Sequence, residues 1–138
     1  SFCEYIGSNI NYNDKFLKIC GEIIFKANNF SYLRDGLYMT GQKVEMGNIL
    51  VIKTEFNLKI ILTENRVMPF DDKHIKVFGI NPRQEDIIVT KSGSAWKIAF
   101  GKIARTVFNV DTNGICSSNV KKIRYSNRHI HKYWPLNE

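Results

Sequence analysis

The most suggestive chemistry in the sequence lies where an apolar run meets an amphipathic stretch. Lys91 ends the β-branched run 86–91, Ser92 follows it, and Ser94 directly precedes the amphipathic stretch 95–104. If the run is a strand and the stretch a helix, backbone N–H groups and the positive end of the helix dipole meet at this junction. Such a junction accepts a carboxylate or a phosphate. The structural alternative is that Ser92 or Ser94 caps the helix and that Lys91 is a solvated charge.

The histidines and cysteines offer weaker metal chemistry. His129 and His131 would lie on one face of an extended segment and could hold one zinc ion, with His74 and Cys116 as further ligands only by default. A structural zinc site needs four ligands, so we predict no metal in this chain and exposed histidines in a basic segment. The three cysteines are far apart and odd in number, which favours reduced thiols in a cytosolic protein.

Positive charge is concentrated near the C-terminus. The chain has a net charge of +7, and residues 112–137 contain no acidic residue. Cations and aromatic rings occur together there: Lys121, Lys122, Arg124, Arg128 and Lys132 beside Tyr125, Tyr133 and Trp134. Such a mixture can hold a nucleic-acid backbone weakly and stack bases. The alternative is a segment that packs its rings on the domain and keeps its charged heads in water.

Length and composition restrict the class of protein. With 138 residues, of which 43% are apolar and 24% charged, the sequence indicates one globular domain over 1–138. Its apolar runs are far shorter than the roughly 18 residues of a membrane span, so no membrane association is expected. The chain has no G-x-S-x-G, H-E-x-x-H, Walker or G-x-G-x-x-G motif, and no catalytic residue is predicted. Ser1 to Tyr5 include neither an initiator Met nor a secretory signal, which indicates a cut chain.

The first half of the sequence predicts an antiparallel sheet. Period-2 alternation over 16–25 is typical of a half-buried strand, with Gly21 as a bulge or a point of close packing. Asp35-Gly36 predicts a turn in which the glycine provides a positive φ. The β-rich runs Gly47 to Thr54 and Leu58 to Thr63 then predict a hairpin.

The second half predicts a helix and then a crossover unit. Residues 71–78 favour a short helix that ends at Gly79. The runs 86–91, 95–104 and 105–110 predict strand, helix and strand, joined as a right-handed parallel crossover. The apolar stripe of that helix is Trp96, Ala99, Phe100 and Ile103. The expected fold class is therefore α+β: an antiparallel β-rich first half followed by a strand-helix-strand unit, in a single mixed-sheet domain.

A series of short motifs runs in a fixed order from about residue 30 to the end. They are Asp35-Gly36 with Gly41 and Met46-Gly47; Thr63-Glu64-Asn65-Arg66 with Pro69-Phe70-Asp71; Gly79-Ile80-Asn81-Pro82; Lys91-Ser92 with Trp96, Phe100 and Ala104; Asp111-Thr112 with Gly114; Tyr125; and Trp134-Pro135-Leu136-Asn137. In order and spacing this series resembles the C-terminal domain of the microcystinase (MlrC)-like zinc metallopeptidases.

The resemblance implies a function that the residues alone do not. In that family the zinc ligands belong to a larger N-terminal domain, so zinc is expected there and no cofactor in this chain. The chain would pack against that domain of the same protein and help to wall a cleft for a peptide substrate, with Lys91, Ser92 and Ser94 as lining groups. Ser94-Ala95 stand where the family has a histidine, and Asn113 replaces a proline, so the chain alone is expected to be inactive.

Two other classes of function remain open. One is a stand-alone basic module that binds nucleic acid or another polyanion through its last thirty residues. The other is a purely structural interaction domain with no ligand. The reading frame upstream of Ser1 separates them from the first hypothesis, because it either continues into a metallopeptidase domain or does not.

Overall fold

The computed structural model describes residues 2–6 and 17–110, with side-chain burial from residue 19 onward. The chain divides into two compact units, residues 1–103 and 104–138. All the helices and strands within the described ranges belong to the first unit. Residues 104–110, the described part of the second unit, form neither helix nor strand.

The first unit is built on an antiparallel sheet. Its strands are β1 (Phe2–Ile6), β2 (Leu17–Leu33), β3 (Lys43–Lys53) and β4 (Lys59–Thr63). They lie side by side in the order β1-β2-β3-β4, and each neighbouring pair is antiparallel. The antiparallel sheet that the sequence predicts for the first half is confirmed.

Gly21 is a point of close packing, as the sequence predicts. It lies where the long strand β2 changes partner, since Gly21 pairs with Phe2 of β1 and the next residue, Glu22, pairs with Lys53 of β3. A Cβ atom on Gly21 would lie 2.6 Å from the Lys53 carbonyl oxygen and 2.7 Å from Cγ2 of Ile52. The absence of a side chain therefore lets the two strands approach.

The predicted hairpin is formed by β3 and β4. Their register runs from Lys53 opposite Lys59 to Ile49 opposite Thr63. At the turn, Thr54 N–H donates to the Leu58 carbonyl oxygen at 2.9 Å, and a positive φ of 60° occurs at residue 57. The hairpin is therefore closed at its tip by a direct backbone hydrogen bond.

A loop follows Asp35, but its hydrogen-bonded turn lies at 39–42, where Gln42 N–H donates to the Met39 carbonyl oxygen, and Gly36 does not provide the predicted positive φ. The positive φ values of this loop belong to Met39, at 55°, and Gly41, at 79°, and not to Gly36. A Cβ atom on Gly36 would instead lie 2.7 Å from Cβ of Asp71. Close approach to a distant segment, rather than backbone conformation, requires the glycine here.

Two short helices follow the sheet. They are α1 (Lys73–Lys76) and α2 (Ala95–Phe100). A helix is present within the predicted range 71–78, but it has four residues, and Gly79, with φ of +76°, lies at the end of the turn that follows it. The second helix is shorter than the predicted stretch 95–104.

The predicted strand-helix-strand unit is not formed within the described residues. Neither 86–91 nor 105–110 is a strand, so only the helix of that unit is present. In the first run Ile87 and Val89 are 81% and 89% exposed, whereas Ile88 between them is half-buried. A β-branched run makes a strand only when another strand pairs with it, and propensity alone does not supply that partner.

The core lies between the sheet and the two helices. Met46 and Val51 of β3 are fully buried, and the other members of the cluster are Tyr32, Val44, Ile49, Ile75, Phe78, Ile80 and Phe100. Of the predicted stripe on α2, Phe100 is buried, while Trp96, Ala99 and Ile103 are half-buried against the same cluster. The helices in the described part of the chain are too short and too polar to cross a membrane.

Candidate functional site

The three residues of the predicted junction lie in the segment that directly precedes α2. Lys91 and Ser94 are exposed, and Ser92 is half-buried. Ser94 occupies the N-cap position of the helix, with φ of −141°, but its side chain makes no capping hydrogen bond. The Ser92 hydroxyl oxygen is buried and has no hydrogen-bond partner among the described residues. Ser94 therefore has the position of a helix cap, as the structural alternative expects, but it does not make the hydrogen bond of a cap.

The setting of this junction is weaker than the sequence suggests. The residues before Lys91 form no strand, and α2 has six residues, too few to align a large dipole. An anion at this point would have to be held by the Lys91 ammonium group and by the hydroxyl groups. The role of Lys91, Ser92 and Ser94 in binding stays a prediction.

A second constellation, which sequence reasoning missed, lies inside the fold. Tyr32, near the end of β2, and Arg34, just after it, meet Asp71 and His74 from the α1 region. The Tyr32 hydroxyl donates a hydrogen bond to Asp71 Oδ1 at 3.3 Å and lies 3.2 Å from Nδ1 of His74. Nη1 of Arg34 lies 3.8 Å from the same carboxylate oxygen, and the exposed fractions of Arg34 and Asp71 are 5% and 3%. We call these four residues the buried polar cluster.

Arg34 also ties this cluster to two neighbouring segments. Its Nε donates to the side-chain oxygen of Gln42 at 3.2 Å, and its Nη2 donates to the Met68 carbonyl oxygen at 3.0 Å. The guanidinium lies 5.0 Å from the centre of the Phe70 ring, within the range of a cation–π contact. One buried cation thus joins the end of β2, the loop after it and the segment before α1.

The electrostatics of the cluster favour a neutral histidine. Burial, and then the Arg34 guanidinium, lower the pKa of His74 against the opposing effect of Asp71. Burial, and then the Asp71 carboxylate, raise the pKa of Tyr32 far above its usual value. Because the Tyr32 hydroxyl has one proton and donates it to Asp71, its oxygen accepts from Nδ1–H of His74.

The buried polar cluster does not fit a zinc ion. The Asp71 carboxylate already faces a guanidinium, and the Nδ1 atom of His74 is engaged with Tyr32. Zinc sites need three or four converging ligands, and no three His, Cys, Asp or Glu side chains converge within 2–6 and 17–110. The other histidines, His129 and His131, and the cation-rich segment 112–137 lie outside the described residues.

No local pattern in the sequence joins the members of the cluster. Tyr32 and Asp71 are 39 residues apart along the chain. The available signal was the family motif series, in which Asp35-Gly36 and Pro69-Phe70-Asp71 both occur, because the structure places Gly36 against Asp71. These two motifs therefore position each other.

A second pair of motifs is explained in the same way. Gly47 has φ of +70°, and a Cβ atom there would lie 2.7 Å from Oε2 of Glu64. That carboxylate accepts the Asn48 N–H at 2.8 Å, and Asn65 N–H donates to the Met46 carbonyl oxygen at 3.1 Å. The Met46-Gly47 and Glu64-Asn65 motifs therefore hold the segment after β4 against the first half of β3.

Comparison with known proteins identifies the class. A family model described as MlrC C-terminus matches residues 21–127, which is most of the chain, and the chain belongs to this family. The resemblance found in the motif series is confirmed. Among curated proteins, Microcystinase C from Sphingomonas sp is 27% identical over 98 residues. The match covers 71% of this chain but 18% of that protein, so the chain spans less than a fifth of the length of this relative.

Proposed function

We propose that this chain is the accessory C-terminal part of an MlrC-like metal-dependent hydrolase, and that its partner is a metallopeptidase domain N-terminal to it in the same protein. The observation that carries the proposal is the family match over residues 21–127. The small share of Microcystinase C that aligns supports it, because the matching segment of that relative is one part of a longer protein.

The arrangement of the motif residues supports an accessory role. The ionisable group that the family motifs contribute to the interior, Asp71, faces a guanidinium and a tyrosine hydroxyl. Asp71 is only 3% exposed, so its carboxylate is not presented to a substrate. In the proposed enzyme the zinc acts in the N-terminal domain, and this chain supplies none of its ligands.

The proposed contribution to the substrate cleft comes from Lys91, Ser92 and Ser94. The exposed Lys91 ammonium group suits a substrate carboxylate, and the exposed Ser94 hydroxyl, which makes no capping hydrogen bond, suits a peptide carbonyl or amide. The Ser92 hydroxyl is buried between them and would support this wall from behind. These groups would bind and orient a peptide substrate while the chemistry takes place on the other domain.

The test uses the polypeptide encoded by the complete reading frame that contains this chain. We expect metal-dependent hydrolysis of short peptides by that polypeptide, and neither turnover nor stoichiometric zinc with the 138-residue chain alone. Lys91→Ala and Ser94→Ala should raise KM, while Lys102→Ala, at an exposed lysine just beyond α2, should leave it unchanged. Peptidase activity of the isolated chain, or a reading frame without a metallopeptidase domain, would overturn the proposal. Equal KM values for the Lys91 and Lys102 variants would remove the cleft role alone.

A further inference from the structure

The loop between β2 and β3 presents apolar side chains to solvent. Residues 36–41, here called the apolar loop, have the sequence Gly-Leu-Tyr-Met-Thr-Gly and carry no charge. Leu37 is 89% exposed, and Tyr38 and Met39 are 45% and 44% exposed. Three consecutive large apolar side chains on one uncharged loop are the composition of a contact surface rather than of a solvated turn.

The apolar loop is held in place rather than left free. At its base, Gly41 N–H donates to the Arg34 carbonyl oxygen at 2.9 Å, and Arg34 N–H donates to the Gln42 carbonyl oxygen at 3.0 Å. The Tyr38 ring packs on Phe70, with 4.9 Å between the ring centres. Arg34, a member of the buried polar cluster, holds the base of the loop and also contacts the Phe70 ring on which Tyr38 packs. Leu37 is therefore displayed on a preorganised support, which lowers the entropic cost of binding.

A cleft beside the loop extends the apolar surface. It is open to solvent and has a volume of about 220 Å³. Its apolar lining is Met39, Val44, Val67, Met68 and Phe70, and its polar lining is Arg34, Gln42 and Lys43. Met68 is itself 44% exposed. Methionine side chains adapt to the shape of a partner. Next to the cleft, Nζ of Lys43 and Oε1 of Glu45 form an exposed ion pair, 2.8 Å apart. An apolar centre with polar groups around it is the usual anatomy of a protein interface.

We infer that the apolar loop and this cleft are the surface through which the chain docks onto the metallopeptidase domain of its own protein. The inference rests on the proposed function. The loop and the cleft lie inside the family-matched segment 21–127, and more than four fifths of Microcystinase C lies outside its alignment with this chain. A second copy of the chain is disfavoured as the occupant, because each copy brings a net charge of +7. Leu37 enters an apolar pocket of the partner, and an apolar side chain of the partner fills the cleft.

Hydrogen exchange tests the surface directly. The amides of Leu37 to Thr40 donate no hydrogen bond in the described structure, so they exchange fast in the isolated chain. In the complete polypeptide we expect these amides to exchange about tenfold more slowly or better, since docking covers them. The tip of the β3–β4 hairpin, where Phe56 and Leu58 are 85% and 56% exposed, serves as the internal control and should not change.

A pair of variants completes the test. Leu37→Asp should let limited proteolysis release the domain from the complete polypeptide, whereas the matched Leu58→Asp should not. Circular dichroism of the isolated Leu37→Asp chain should match the unaltered chain, because this side chain lies almost wholly in solvent. Protection of another surface without protection of 36–41 overturns this inference and leaves the proposed function standing. No protection anywhere overturns both. Concentration-dependent protection of the loop in the isolated chain assigns it to a second copy and overturns the inference.

Discussion

At the scale of single residues, the most consequential feature is a buried ion pair that joins distant segments. Arg34 and Asp71 are almost fully buried and form an ion pair at 3.8 Å, and the guanidinium makes two hydrogen bonds, to Gln42 and to the Met68 carbonyl oxygen. Isolated charges are costly to bury, so each partner depends on the other. The pair therefore fixes where the loop after β2 meets the segment before α1.

Removing one partner of this pair should be expensive. We expect Asp71→Ala to lower the free energy of unfolding by about 3–5 kcal/mol, because it leaves a buried guanidinium without its counter-ion. The control is Asp35→Ala, since Asp35 is 63% exposed and pairs with Lys73 at the surface; its cost should be about 0–1 kcal/mol. Urea unfolding of the two variants measures the difference, and equal costs would show that the buried pair contributes nothing special.

His74 should make stability depend on pH. Its pKa is lowered in the folded state, so the unfolded chain takes up the proton first as the pH falls through about 6.5. The contribution is therefore fully present above that pH and is lost as the pH falls from there toward the lower folded pKa. Unfolding midpoints at pH 7.5 and 5.5 should differ less in His74→Gln than in the unaltered chain. An equally large difference in His74→Gln would place the titrating group elsewhere.

At the scale of elements, the short helix α2 is attached to the core through one of its faces. Phe100 is 4% exposed and belongs to the core cluster, while Ile98, two residues earlier, is 46% exposed on another face. Trp96, which the apolar stripe predicts to be buried as well, is only half-buried. The attachment of this helix to the sheet therefore depends most on its last residue.

This difference predicts unequal costs of truncation. Phe100→Ala should lower the free energy of unfolding by about 3–5 kcal/mol, the usual cost for a large aromatic core side chain. Ile98→Ala should cost no more than about 1 kcal/mol, because it removes a partly solvated side chain and raises helix propensity. Thermal or urea unfolding of both variants checks the ranking, and a larger loss at Ile98 would contradict the described packing of α2.

At the scale of the whole molecule, the cation-rich segment 112–137 predicts non-specific attraction to polyanions. Its five cations can each release roughly 0.9 counterion from duplex DNA, so the slope of log K against log salt should be no steeper than about −4.5. Fluorescence anisotropy with a labelled duplex at several salt concentrations measures this slope. We expect weak binding that vanishes at high salt. Tight binding that persists there, and that is lost in Tyr133→Ala, would instead favour a nucleic-acid module.

The sequence by itself determined the elements whose signals are local. The alternation in β2, the β3–β4 hairpin and the helix that ends before Gly79 each follow from residues within about ten positions of one another. The ordered motifs also indicated the family, because their spacing is a property of the sequence alone. The position of Ser94 at the start of α2 belongs to the same group.

Only the tertiary structure decided the features that depend on contacts between distant segments. Gly36 is needed because Asp71 packs against it, and Arg34 is buried because that carboxylate and two further acceptors meet its guanidinium. The run 86–91 does not form a strand, because no second strand lies beside it within the described residues. Pairing, burial and close approach are relations between residues tens of positions apart, and local propensity does not encode them.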